Sequence, residues 1–346
     1  MGGDIRAAVV VIATVAVFTA LYLASAVFAP AAGAFFVIAI VWPMQRLLEA
    51  RVPKLLALAL VVLVIIVAFL GFATLVAWSF GRVGRWLVAD ADRLQQLYAH
   101  AAAWLEAHGI GVATLWSEHF NVRWLVRTVQ EIAGRINTTI GFWLVVLVYI
   151  VLGLLEVDAA KRRILALENG QAAHVLLEGT ISSAAKIRRY MLIRTQMSAA
   201  TGLLVSTLAW LAGLQLAVEW GVIAFALNYI PFIGPFIATV FPTLFALAQF
   251  ASWQLALAVF AGLNVIQFVI GSYVEPRVSG SALSISPFLV LFAVFFWTFL
   301  WGLFGAFIGV PITIALLTFC AQHHSTRWLA DLLGGASAQL PIKTPC

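Results

Sequence analysis

The chain has 346 residues, of which 64% are hydrophobic and only 10% charged, with 20 Lys and Arg against 14 Asp and Glu. A soluble domain carries roughly 45–50% apolar and about 25% charged residues, so this chain cannot cover a water-facing surface with polar groups and its solvent is largely lipid. The basic excess fits positive loops held on the cytoplasmic side and not nucleic acid, since no basic-aromatic module is present, and two cysteines, Cys320 and Cys346, are too few for a disulfide framework.

The apolar runs define the elements. Ala7–Ala29 is too long for a signal-peptide core of roughly 7–15 residues and long enough for a span of about 20, so it is read as a retained first helix. Pro30 is expected to turn the chain, and Ala31–Trp42, extended through Leu48, completes a second crossing. Leu55–Phe80 is the third span, Thr139–Leu155 the fourth and Ser198–Val218 the fifth; beyond them Trp220–Ala251, Trp253–Tyr273 and Leu283–Phe319 are all apolar. Gly81–Asn137 is not a span. Trp86, Leu87, Leu94, Leu97, Ala101, Trp104 and Leu105 form one helical face, and Val122, Leu125, Val129, Ile132 and Ile136 a second, which predicts amphipathic helices on the membrane surface or against other subunits.

The short loop carrying Arg46, Arg51 and Lys54 is basic, and so is Glu156–Arg194. Positive loops stay cytoplasmic, and the span count puts both on one side. The N- and C-termini are then cytoplasmic and Gly81–Asn137 lies outside. The predicted organisation is 1–80 N-terminal transmembrane helices, 81–138 amphipathic extramembrane region, 139–155 transmembrane helix, 156–194 basic cytoplasmic linker, 195–320 C-terminal transmembrane region and 321–346 cytoplasmic tail.

The C-terminal half holds the unusual chemistry. Between Arg194 and Arg277 the only charges are Glu219 and Glu275, and from Val278 to Thr326 there is none. Asn228-Tyr-Ile-Pro231-Phe-Ile-Gly234-Pro235 places two prolines and a glycine in an apolar run, and Gly302, Gly305, Gly309 and Pro311 form a second cluster of helix breakers. As one helix, Trp220–Ala251 would be roughly 48 Å long against a hydrocarbon core of about 30 Å, yet two full spans need about 40 residues. Half-length helices meeting at a break resolve the conflict, as a re-entrant hairpin or as one long broken helix; Leu283–Phe319 poses the same choice. Irregular backbone at membrane depth is tolerated only where protein or a watery cavity receives it, and broken helices form substrate sites in transporters. Close helix packing is the competing reading of each breaker, especially the three glycines. The run Gly33-Ala-Phe-Phe, Gly234-Pro-Phe-Ile and Gly305-Ala-Phe-Ile, each followed by a proline, is a weak internal echo that chance explains equally well.

Asn264 and Gln267 are three residues apart and share a helix face, where their amides either line a polar path or join helices. Glu219, Glu275 and Arg277 sit at span margins. Interfacial snorkelling or a Glu275–Arg277 pair is the plain reading and ion coupling the functional one, with Glu275 preferred because it follows the Asn264/Gln267 helix. The candidate substrate path therefore comprises Asn228, Pro231, Gly234, Pro235, Asn264, Gln267, Gly302, Gly305, Gly309 and Pro311. With no fixed charge along it, the path suits a small neutral or weakly charged solute.

Three motifs in order, Ile230-Pro-Phe-Ile-Gly-Pro235, Val274-Glu-Pro-Arg-Val-Ser-Gly280 followed by Leu283-Ser-Ile-Ser-Pro287, and Gly302-Leu-Phe-Gly-Ala-Phe-Ile-Gly-Val-Pro311, resemble the signatures of the autoinducer-2 exporter family of membrane transporters. The resemblance is specific over Ala224–Ala315 and rests on span layout elsewhere. It implies an all-α polytopic fold of about eight spans of roughly 20 residues, a homo-oligomer in a bacterial inner membrane, and export of small molecules, a quorum-sensing signal among them. Some members resemble sodium–proton antiporters. No His-Glu-x-x-His, Gly-x-Ser-x-Gly or Gly-Lys-Ser/Thr phosphate loop is present, so neither an enzyme nor an ATP-driven pump is expected. Cys320, His323 and His324 lack a fourth ligand, and no metal or cofactor is expected. The expected partners are lipid, a small-molecule or ion substrate and further copies of the chain; a non-transporting structural membrane protein is the competing class.

Overall fold

The computed structural model describes residues 2–90, 136–279, 285–323 and 325–334, with isolated helical positions at 99, 103, 106 and 107. The second amphipathic face expected at Val122–Ile132 and most of the first lie outside the described residues. Ten helices and one short extension are described: α1 (Gly2–Leu23), α2 (Ser25–Glu49), α3 (Lys54–Ala89), α4 (Ile136–Leu165), α5 (Gly170–Leu211), α6 (Ala217–Leu227), α7 (Ile233–Phe250), α8 (Trp253–Phe268), a π-helical turn (Val269–Val274) running into the short extension α9 (Glu275–Ser279), α10 (Pro287–Gln322) and α11 (Arg327–Leu333). Among the described residues six helices are long and apolar enough to cross a membrane, with Ala8–Leu23 and Ala217–Leu227 apolar but shorter. The protein is an all-α polytopic membrane protein.

Several boundaries differ from the sequence reading. The chain bends at Ala24 (φ −98°, ψ 31°) and not at Pro30, which lies buried inside α2. Helical hydrogen bonds from Ala24 N to the Ala20 carbonyl and from Phe28 N to the Ala24 carbonyl flank the bend, so the run is kinked and not reversed there. The third span does not stop at Phe80; α3 continues to Ala89 over 36 residues, and Trp86 and Leu87 belong to it. Glu156–Arg194 is helical, as the end of α4 and the first part of the 42-residue α5, apart from the short turn between them.

The described chain divides into two compact units, Met1–Val64 with Gly141–Leu192 and Ser279–Cys346, and Ile65–Ile140 with Ile193–Val278. In the first, Phe36, Ile187 and Ile308 form a core with Phe304 and Phe307 against them. Asp158 accepts from Arg46 at 2.9 Å and Lys54 at 3.3 Å, so the α2–α3 turn and the start of the basic segment share one edge of that unit.

In the second unit the core comprises Val83, Val205, Trp220, Ile223, Ala238, Phe245, Val259 and Leu263. Gly202 of α5 faces Gly221 of α6, and a Cβ on either would lie 2.7 or 2.6 Å from the other's carbonyl oxygen. Two glycines thus let these helices cross backbone to backbone, the small-residue contact that replaces hydrophobic association in lipid.

Candidate functional site

Both apolar runs left open between a hairpin and a broken helix are hairpins, one in each unit. In the second unit α6 ends at Leu227 and α7 begins at Ile233. Trp220 and Phe245 pack edge to face with ring centroids 5.2 Å apart, which an extended helix would forbid. Gln249, near the end of α7, donates to the Gly213 carbonyl and accepts from Gln215 N, both at 2.8 Å, so the two ends of the hairpin are joined. The 11 residues of α6 rise roughly 17 Å and the 18 residues of α7 roughly 27 Å, so α6 alone is too short to cross a ~30 Å hydrocarbon core.

The turn is narrower than expected. Only residues 228–232 are non-helical, and Gly234 and Pro235 occupy the first turn of α7, where a proline costs no hydrogen bond. Pro231 supplies no N–H. Ile233 N bonds the Pro231 carbonyl at 2.7 Å across Phe232, whose φ of 64° and ψ of −53° make a strained γ-turn. Gly234 is required because a Cβ there would fall on the Leu227 carbonyl oxygen.

The first unit repeats this construction. Within α10 the helix breaks at Trp301 (φ −132°, ψ 19°) and Gly302 (φ 61°, ψ −146°), the latter a conformation close to the glycine-only region. A Cβ on Gly305 would fall on the Trp297 carbonyl oxygen, and one on Gly309 would lie 2.9 Å from the Trp297 Cβ. Trp297 Nε1 donates to Thr313 Oγ1 at 3.3 Å, so the two arms pair, and Pro311 is buried on the returning arm. Packing and breaking are thus the same role for Gly305, and the Gly234 and Gly305 echo marks equivalent positions in the two hairpins. The third echo differs: Gly33 lies inside α2, against the Phe304 ring.

Polar groups gather at the turn of the second hairpin. Asn228 is buried and its Nδ2 donates to Ser198 Oγ at 3.2 Å. The Tyr229 hydroxyl donates to Thr195 Oγ1 at 2.9 Å. Arg194, one residue earlier, is 6% exposed and its Nη1 donates to Glu275 at 2.7 Å. A partly buried ion pair therefore lies one helical turn from Ser198, the partner of Asn228, where the sequence reading expected no fixed charge. Glu275 also does not pair with Arg277: residues two apart on a helix point to different sides, and the Arg277 guanidinium sits 3.9 Å from the Tyr273 ring centroid. Pro276 has no N–H and would clash with the carbonyl of Ser272 in a regular helix. The helix opens instead into the π turn, in which Glu275 N bonds the Ile270 carbonyl, and this shift presents Glu275 to α5.

The remaining expected residues are dispersed. Glu219 is not an interfacial snorkelling group; its side chain is 4% exposed and pairs with Arg82 at 2.8 Å, beside the N-terminus of α6. Asn264 is exposed and donates to its own helix's Phe260 carbonyl at 2.8 Å. Gln267 is half-buried, with Nε2 lacking an acceptor. Sequence reasoning missed Arg194, Thr195, Ser198, Thr201 and Arg82. The spacing Arg194, Ser198, Thr201 along one face of α5, where the chain passes from its basic segment into an apolar run, was the available signal.

The chain matches the model of the AI-2E family transporter over residues 11–324. It is similar to the AI-2 transport protein TqsA of Escherichia coli K12, 26% identical over 306 residues covering 87% of each chain. It is also similar to a putative transport protein of Borreliella burgdorferi, 35% identical over 44% of this chain and 42% of that one. The putative transport protein YhhT of E. coli K12 is 33% identical over 43% of this chain and 42% of its own length. With a family match spanning the hairpins in both units, the chain belongs to the AI-2E family of membrane transporters.

Proposed function

We propose that this transporter moves a small solute across the bacterial inner membrane by alternating access around its two re-entrant hairpins, as an exporter or permease without an ATPase of its own. The observation that carries the reading is the α6–α7 turn, a break inside an apolar run with a strained Phe232 and a buried Asn228. A structural membrane protein has no need of strained, polar, non-helical backbone within such a run. Asn228, Pro231, Gly234, Pro235, Asn264 and Gln267 would serve the path in the second unit, and Gly302, Gly305, Gly309 and Pro311 in the first. The termini would face the cytoplasm, consistent with the Arg46, Lys54 and Asp158 cluster, and the exposed apolar faces suit lipid and further copies of the chain.

Solute efflux and uptake compared in strains with and without the protein test the reading. The Asn228→Leu, Gln267→Leu double variant should reach the membrane in normal amount and lose flux; wild-type flux in that variant would remove the proposed path. Ion coupling, as in a sodium–proton antiporter, is favoured by one observation, the Glu275 carboxylate held on Arg194. Glu275→Gln should then abolish the pH dependence of flux, whereas Glu219→Gln or loss of Arg277 should alter it less.

A further inference from the structure

Among the described residues of the second unit, Arg194 Nε, Thr201 Oγ1, Gln267 Nε2 and Trp220 Nε1 are buried side-chain polar atoms without a hydrogen-bond partner. Trp220 belongs to the apolar core beside Phe245 at the base of the hairpin. The other three lie along one helix pair. Arg194, Ser198 and Thr201 follow at spacings of four and three on one face of α5. Leu208 of α5 meets Gly262 of α8, and Arg194 meets Glu275. The two stretches run antiparallel between those contacts, which puts Gln267 at about the level of Gly202 along the pair. All three unpartnered groups carry a hydrogen to donate, and buried donors are normally paired.

We propose that this stripe is a binding site for the carboxylate of a small organic acid, with Arg194 as its anchor and Glu275 as the group that takes up a proton when the anion binds. The proposal rests on the solute path suggested above. Arg194 commits Nη1 to Glu275 and leaves Nε–H open on the other edge of the guanidinium. A planar two-oxygen acceptor is the group that such an edge matches, and the Thr201 hydroxyl and Gln267 amide offer donors further along the stripe.

Charge balance supplies the second half. Arg194 and Glu275 are together neutral, so a bound carboxylate would leave one uncompensated negative charge at a site where Arg194 is 6% exposed, and a low-dielectric site disfavours that strongly. Glu275 is 27% exposed and lies three residues before the end of the apolar span Trp253–Val278, the part of a span nearest the aqueous boundary. When the anion binds the guanidinium, one proton from solvent joins the Glu275 carboxylate; release reverses both events, so acid and proton move together without net charge. The neighbouring charged and titratable groups are otherwise engaged. Arg277 stacks on Tyr273, the Tyr229 hydroxyl bonds Thr195, and Glu219 is held by Arg82.

Lactate and its uncharged counterpart lactamide are the probes, applied to the full-length protein in lipid nanodiscs. Thermal midpoint reports binding, and a pH indicator in weak buffer reports proton uptake. Lactate should raise the midpoint and take up about one proton per anion bound, and lactamide should do neither. Glu275→Gln leaves Arg194 uncompensated, so it should bind lactate at least about tenfold more tightly with no proton uptake. The double variant Arg194→Gln, Glu275→Gln keeps a neutral hydrogen-bonding pair, so it should fold, and it should not respond to lactate. Equal stabilisation by lactamide, lactate binding without proton uptake in the wild type, or unchanged lactate affinity in Glu275→Gln each overturns the proposal. Because binding is read without flux, flux that survives in Asn228→Leu, Gln267→Leu removes the path alone, and lactate indifference in a protein that still transports removes this site alone.

Discussion

Alanine at Gly234 or Gly305 tests the shared construction of the two hairpins. A Cβ at Gly234 would stand 2.6 Å from the Leu227 carbonyl carbon and 3.2 Å from Asn228 N; at Gly305 the corresponding distances are 2.5 Å to the Trp297 carbonyl carbon and 3.2 Å to Thr298 N. Carbon atoms in contact sit about 3.5–4.0 Å apart, so the returning helix must retreat by about 1 Å. Over-packing a core costs about 1–3 kcal/mol where side chains can yield. Here the obstacle is backbone, which cannot rotate away, so each substitution should cost at least about 3 kcal/mol, the upper end of that range. Gly33→Ala is an internal comparison, because its Cβ meets the Phe304 ring at 2.7 Å, a side chain that can move, and a smaller loss is expected. Gly71, inside α3 with nothing within 4 Å of its Cβ, should gain about 0.5–1 kcal/mol as alanine. Thermal denaturation of the four variants in one lipid composition ranks them. If Gly234→Ala melts at or above the midpoint of Gly71→Ala, the turn is not held by this contact and the account of both hairpins is wrong.

Gly302→Ala should lower stability by about 1–3 kcal/mol, since φ 61° with ψ −146° is closed to residues with a Cβ; the same denaturation assay reads it. Arg82→Ala leaves Glu219, 4% exposed, without its partner. As Arg82 is itself 45% exposed, solvent screening reduces the cost to about 1–2 kcal/mol, and Arg82→Ala with Glu219→Gln should recover most of it. Gln249→Ala removes both bonds that join the hairpin ends, for about 1–3 kcal/mol, and hydrogen exchange over residues 212–216 should quicken while the α10 break is unaffected. For orientation, cysteines placed at Ser117 and Ser182, with Cys320 and Cys346 replaced, should react from outside intact cells at 117 only; reaction at 182 alone would invert the topology.

Composition alone fixed the solvent of this protein, and with it the fold class, because a chain with 10% charged residues has no other way to hide its apolar side chains. The two breaks were also legible, since they follow from local chemistry: Pro231 has no donor, Gly302 has no Cβ, and the runs around them are too long for one span and too short for two. What the breaks become was not. A hairpin and a long broken helix satisfy the same local rules, and the choice rests on contacts across the fold, the Gln249 bonds to Gly213 and Gln215 and the pairing of Trp297 with Thr313. Ion pairing was hidden for the same reason. Glu275 had Arg277 two residues away in the sequence, yet its partner is Arg194, 81 residues distant, because a helix sends neighbours two apart to different faces and the π turn ahead of Pro276 re-aims the carboxylate. Local backbone preference is written residue by residue and can be read from the chain. Which buried charge meets which depends on how helices pack, and only the tertiary structure decides it.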